Sequence, residues 1–213
     1  MMIEDIIKSN IKNRYKKEME KNEFKVTELL MCREKMKFIR EGITPEVEES
    51  NAQRQVLISK FISRGIRNNL EGMGWITGGE YKKEFGKYWL YMYPDGIKFK
   101  LVDVKPDSGI YINFEKKYAV PEEVLIVKSP IKLPRGMPDS HLFQCMMYLA
   151  ISGAKKCIVL YLHHTGFREM VVEEAMKEEQ ILWLITHEKS PFFKNECKTC
   201  FYREVCDKYG LKI

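Results

Sequence analysis

The stretch that decides the fold is Val124-Leu125-Ile126-Val127-Lys128-Ser129-Pro130, followed by IKLPRGMP (131–138) and DSHLFQCMMYLAIS (139–152). Four consecutive apolar residues, Val124–Val127, make a short strand covered on both faces. Pro130 to Pro138 is a loop, and Asp139 or Ser140 caps a helix running to about Ser152. Downstream, Cys157–Leu162 is a second buried strand, Met170–Val172 a further one, and a helix runs from about Glu173 to His187. Upstream, Trp89, Tyr91 and Tyr93 alternate, and Ile97, Phe99 and Leu101 alternate after the turn Pro94-Asp95-Gly96, so Glu80–Ile112 reads as a strand meander. Before it come helices at 3–22, at Glu28–Arg40 with Thr27 as N-cap, and at Glu46 to about Leu70 after Pro45. Helices, a meander, then strand–helix–strand–helix amount to an α/β fold with a sheet core and a helical cap.

The chain has 213 residues and 45% hydrophobic content, enough for one large domain and too apolar for general disorder. No run approaches the roughly 18 apolar residues of a membrane span, so no membrane association is expected. The start, MMIEDIIKSNIKNRYKKEMEKNE, is too charged for a signal peptide, and the expected location is the cytoplasm. There, six cysteines serve as buried thiols or metal ligands rather than disulfides. A net charge of +6 permits a nucleic-acid partner without demonstrating one.

Cys197, Cys200 and Cys206 form C-x2-C-x5-C. Two thiolates two residues apart grip one metal from a tight turn, and a third returns from the next helical turn. Tetrahedral zinc and iron–sulfur clusters each need four such donors, and spacing does not separate them. Cys32 is the natural fourth ligand, so the first and last segments should meet in space. Cys145 and Cys157 sit within apolar helix and strand patterns and read as core residues.

With the stretch Val26-Thr27-Glu28-Leu29-Leu30-Met31-Cys32-Arg33-Glu34-Lys35, this cysteine pattern resembles the CRISPR-associated RecB-like exonuclease family and its viral relatives, over about residues 25–208. The resemblance implies a restriction-endonuclease-like PD-(D/E)xK core, a mixed central sheet flanked by helices. It further implies an N-terminal helical region (1–75) lending one cysteine, a nuclease core (76–190) and a C-terminal cluster segment (191–213), together one compact domain. Cys32, Cys197, Cys200 and Cys206 would hold a [4Fe–4S] cluster as a structural clasp.

The same resemblance implies Mg²⁺ or Mn²⁺ held by acidic residues on adjacent strands, with a lysine that orients or activates water and a Q-x-x-x-Y motif on the next helix. Gln144 and Tyr148 fit that motif and share one helical face. Asp103, in KFKLVDVK, matches the metal-binding aspartate, and Lys128 falls on the catalytic lysine. The chain departs from the family in two places: Ile126 stands where the glutamate belongs, and no histidine precedes position 141. Glu122 or Glu123 could replace the missing carboxylate. A second frame is the literal PD…DxK, with Asp95 and Asp103 as the metal pair and Lys105 as the lysine. Against it, Asp95 sits in a hairpin-like Pro-Asp-Gly turn. His141, one turn before Gln144, reads as a helix-start polar residue.

Lys100, Lys132 and Arg135, among other basic residues interleaved with aromatics, are candidate DNA-binding positions. The implied function is metal-dependent processing of DNA ends or single-stranded DNA, with CRISPR integrase proteins as candidate partners. A catalytically inactive DNA-binding adaptor that keeps the fold and cluster is the alternative. A zinc-stabilised protein of unrelated fold is a third.

Overall fold

The computed structural model describes residues 22–43, 65–66, 69–102, 110–112, 117–130, 132–187, 193, 196–200 and 202–210. The helices expected at 3–22 and 46–70 fall largely outside these. The strands are β1 (Glu23–Lys25), β2 (Trp75–Ile76), β3 (Tyr81–Phe85), β4 (Tyr88–Met92), β5 (Gly96–Val102), β6 (Ile110–Ile112), β7 (Lys117–Lys128), β8 (Lys156–His163) and β9 (Gly166–Val172). The helices are α1 (Val26–Leu29), α2 (Arg33–Arg40), α3 (Asp139–Ser152), α4 (Glu178–Thr186) and α5 (Arg203–Lys208), with a 3₁₀ turn at Glu196–Thr199.

The larger sheet runs β2-β5-β7-β8-β9, with β6 also pairing β7; the smaller runs β1-β4-β3. Among the described residues, only β7 and β8 are parallel within the larger sheet. A parallel pair needs a crossover, and α3 supplies it. The β7 side chains alternate between two cores. Val124 and Ile126 join Cys157, Val159 and Tyr161 in the main core under α3. Leu125 and Val127 face Leu70, Trp75, Ile158, Leu160 and Leu162 on the other side. Helix α3 packs on β7, β8 and β9 and also on β3 and β4. Its residues from Gln144 to Leu149 are all buried. Gly153 closes the helix at φ 71°, a conformation that a side chain disfavours.

Strand β7 is much longer than the expected 124–127 run. Its first half is too polar to give a burial signal and is held by pairing with β5 and β6. Pro121 is tolerated in this central strand because the register slips between Lys98 and Phe99: Lys98 pairs Glu123, and Phe99 pairs Pro121. Such a bulge absorbs the missing N–H.

Three local expectations are corrected. The single helix over 28–40 is two: α1 ends at Leu29, and Cys32 is the N-cap of α2. The break lets Arg40 Nη2 return to Glu28 Oε2 at 3.0 Å. The last large helix starts at Glu178, not Glu173, because the extended approach is tied to α3 by Met176 N–H donating to Met146 O (3.0 Å). Pro94-Asp95-Gly96 is not a hairpin turn: β4 and β5 belong to different sheets, and Tyr93-Pro94-Asp95 is the corner between them.

Candidate functional site

That corner sets the site. Asp95 N–H donates to Leu125 O (3.0 Å), and Asp95 Oδ2 accepts Val127 N–H (2.7 Å). The aspartate is therefore fastened to β7 between Ile126 and Lys128 rather than to its own turn. Lys128 shares the α3 side of β7 with Ile126, and its Nζ donates to Gln144 Oε1 at 2.9 Å. Gln144 Nε2 donates to the Tyr148 hydroxyl at 3.1 Å. That hydroxyl donates to Tyr93 O (3.3 Å) and accepts from Tyr93 N–H (3.4 Å). A continuous polar chain thus runs from β7 through α3 to the corner that carries Asp95. Gln144 is 5% exposed, so both ends of its amide are committed and its orientation is fixed. Burial, then the nearby Asp95 charge, pushes the Tyr148 phenol up to about 12, so it stays neutral.

Lys128 and Tyr161 are register partners at the carboxyl ends of the parallel pair β7 and β8. Ligand crevices of open α/β sheets form at that end. Tyr161 is 0% exposed, and its hydroxyl lies 2.8 Å from His141 Nδ1. Burial, and then the Lys128 ammonium, lowers the His141 imidazole to about 4.

Gln144, Tyr148 and Lys128 meet, and Asp95 of the second frame joins them. Lys132 and Arg135 lie exposed on the loop leaving β7 at the same end. Lys100 does not join: it pairs Val120, eight residues back along β7, or about 25 Å at about 3.3 Å per residue. Asp103 and Lys105 lie outside the described residues. The strand leading toward them ends at Val102, opposite Tyr118 and some 30 Å along β7 from Lys128 at the same rise. Ile126 is 3% exposed within the main core. Glu123, proposed as a migrated carboxylate, is engaged with Lys156 at 2.8 Å. Tyr161 escaped sequence reading because its alternation with Cys157 and Val159 looks like plain core. The available signal was its position at a carboxyl strand end.

Helix α2 and its N-cap Cys32 meet the late cysteine segment around Glu196, Cys200, Tyr202 and Cys206. Cys32 N–H donates to Glu196 Oε1 at 2.9 Å, across 164 residues. Phe38 stacks on Tyr202 with ring centroids 5.9 Å apart. Phe38, Ile39, Tyr202 and Cys206 form a small core touched by Cys200. Burial first, then the other thiols, pushes the Cys197 and Cys206 thiols up, with Cys32 and Cys200 acting on both. Thiols that oppose one another's ionisation suit a cation that is bound by thiolates. As they stand, no three His, Cys, Asp or Glu side chains among the described residues form a ready metal-holding group. Arg33, buried beside Cys32, donates to His187 O (2.9 Å), Ile185 O (3.3 Å) and Leu184 O, and so caps the C-terminus of α4.

The crystal structure of SSO0001 superposes with a TM-score of 0.71 and 22% identity, covering 97% of this chain and 96% of that one. The likeness shows a shared fold, a central mixed sheet flanked by helices. A CRISPR-associated exonuclease Cas4 from Saccharolobus solfataricus is 22% identical over 212 residues, 97% of this chain and 98% of its own. A Laribacter hongkongensis alkaline exonuclease aligns at a TM-score of 0.43 and 13% identity, over 90% of this chain and 95% of that chain. No protein-family model matches. Among the described residues no helix is long and apolar enough to cross a membrane.

Proposed function

We propose that this chain is a divalent-metal-dependent deoxyribonuclease that processes DNA ends or single-stranded DNA. The observation that carries this reading is the convergence of Asp95, Lys128, Gln144 and Tyr148 at one end of a nuclease-type sheet. The full-length similarity to an exonuclease supports it. The aspartate of the site is Asp95, while the lysine and the Q-x-x-x-Y pair are Lys128, Gln144 and Tyr148, so each sequence frame supplies part. Mg²⁺ or Mn²⁺ at Asp95 would supply Lewis acidity and a lowered water pKa. Mg²⁺ is often held by one or two carboxylates together with substrate phosphates, so a site with one carboxylate holds it best with DNA in place. Gln144 fixes the Lys128 ammonium beside the scissile phosphate, and Lys132 and Arg135 attract the flanking backbone.

Ile126 favours a second reading. A buried isoleucine in the carboxylate position removes one cation ligand and leaves a DNA-binding subunit, such as an adaptor beside a CRISPR integrase. End-labelled single-stranded DNA with Mn²⁺ separates the two. Shortening that is lost in Asp95→Asn and Lys128→Ala but kept in Asp103→Asn supports the enzyme. Loss in Asp103→Asn alone restores the other aspartate. Binding without cleavage supports the adaptor, and neither binding nor cleavage refutes both.

Cys32, Cys197, Cys200 and Cys206 would hold a [4Fe–4S] cluster that clasps the chain ends. Anaerobically purified protein is then brown, with iron and sulfide in equal amounts, and Cys206→Ala loses both. A colourless protein with one zinc per chain overturns the cluster.

A further inference from the structure

We infer that His141, oriented by Tyr161, is a phosphate-binding residue that presents a fixed Nε2–H donor beside Lys128. The inference rests on the nuclease reading above and adds to it a residue outside the aspartate, lysine and Q-x-x-x-Y set. The Tyr161 hydroxyl is fully buried, and among the described residues its hydrogen-bond partner is His141 Nδ1 at 2.8 Å. A buried O–H left without an acceptor carries the full desolvation penalty, and Nδ1 is the acceptor within its reach. The phenol is also held protonated, since burial pushes it up to about 12. Tyr161 therefore donates, Nδ1 accepts, and the ring proton sits on Nε2. Nε2 lies across the ring from Nδ1 and so points away from the buried tyrosine, out of a half-buried side chain.

Beside it stands the Lys128 ammonium, which acts electrostatically on the ring and is itself the register partner of Tyr161. Lys128 also directs an N–H to Gln144 Oε1, which fixes where the ammonium stands. An imidazole N–H and an ammonium at one sheet end, on the side of Asp95, match the oxygens of a phosphodiester. The imidazole stays neutral next to the ammonium, so it adds a donor without adding a second repelling charge. Tyr161 touches no substrate and is a positioning residue.

The test is fluorescence anisotropy of a labelled single-stranded oligothymidine in EDTA. His141→Phe is expected to weaken binding about 5- to 10-fold, His141→Gln to keep most of it because the amide retains an N–H donor, and Tyr161→Phe to fall between. Ring ¹⁵N shifts of His141 should show an unprotonated Nδ1 in the unaltered chain and a tautomer mixture in Tyr161→Phe, a change that lost packing alone does not produce. If the unaltered chain binds, Lys128→Ala weakens it and His141→Phe does not, this inference falls while the nuclease reading stands. A protonated Nδ1 in the unaltered chain overturns it as well. If the unaltered chain does not bind at all, this inference falls, and the nuclease reading is decided by the Mn²⁺ cleavage assay above.

Discussion

Removing one oxygen atom, in Tyr148→Phe, should destabilise the fold by about 1–2 kcal/mol. The ring is 2% exposed and its packing is unchanged by the substitution, so no cavity term enters. What disappears is the acceptor for Gln144 Nε2 at 3.1 Å and two longer contacts to the backbone of Tyr93. The Tyr93 contacts lie beyond ideal length and contribute little. The Gln144 amide is 5% exposed and cannot turn to water, so its stranded N–H carries most of the cost. For a chain of this size, 1 kcal/mol moves Tm by about 2–4 °C, so a fall of about 2–8 °C is expected by circular dichroism. The same substitution loosens the amide that holds Lys128. Tyr148→Phe and Lys128→Met should therefore be coupled by at least about 0.5 kcal/mol in a double-mutant cycle. A Tm within about 1 °C of the unaltered chain, or additive effects of the two changes, would show that the polar chain does not act as one unit.

Arg33→Met keeps an unbranched apolar stem but removes the guanidinium and strands three carbonyls at the end of α4, at His187, Leu184 and Ile185. A loss of about 2–4 kcal/mol is expected, with faster amide exchange in α4; unchanged exchange there would refute the capping role. Ile126→Glu puts a carboxylate into a 3% exposed core position beside Asp95. Tm should drop without metal and rise again with Mn²⁺, whereas a Tm indifferent to Mn²⁺ argues against a cation position at Asp95. His141 titrates near 4 in the fold against 6.5 when unfolded. Between those values the unfolded chain holds the extra proton, so the contribution is complete above pH about 6.5 and lost as pH falls through about 4. For a partly exposed ring this amounts to about 1–2 kcal/mol, and His141→Gln should flatten that part of the stability profile.

The helix that carries Gln144 and Tyr148 was legible from the sequence because the information is local: an apolar run and a four-residue spacing place both side chains on one face, although the N-cap is Pro138, not Asp139 or Ser140, and no side chain caps it. The strand end bearing Lys128 was legible for the same reason. Cys32 and the late cysteines implied a meeting of the chain ends, which Glu196, Phe38 and Tyr202 make visible. The break between α1 and α2 was not legible, because the Glu28–Arg40 pair that rewards it is a tertiary contact.

Asp95 shows where sequence stops. Pro-Asp-Gly is an ordinary turn composition, and nothing local says that its carboxylate turns to a strand some thirty residues later. That follows from the register of β5 on β7 and from the corner between two sheets. Tyr161 and His141 likewise meet only because β8 lies parallel to β7 under α3. Sequence alone thus determined the helix face, the basic strand end and the thiol pattern, each set by backbone periodicity over a few residues. Tertiary structure alone brought Asp95 and His141 to them, because strand register is fixed by burial and hydrogen bonding across the whole sheet.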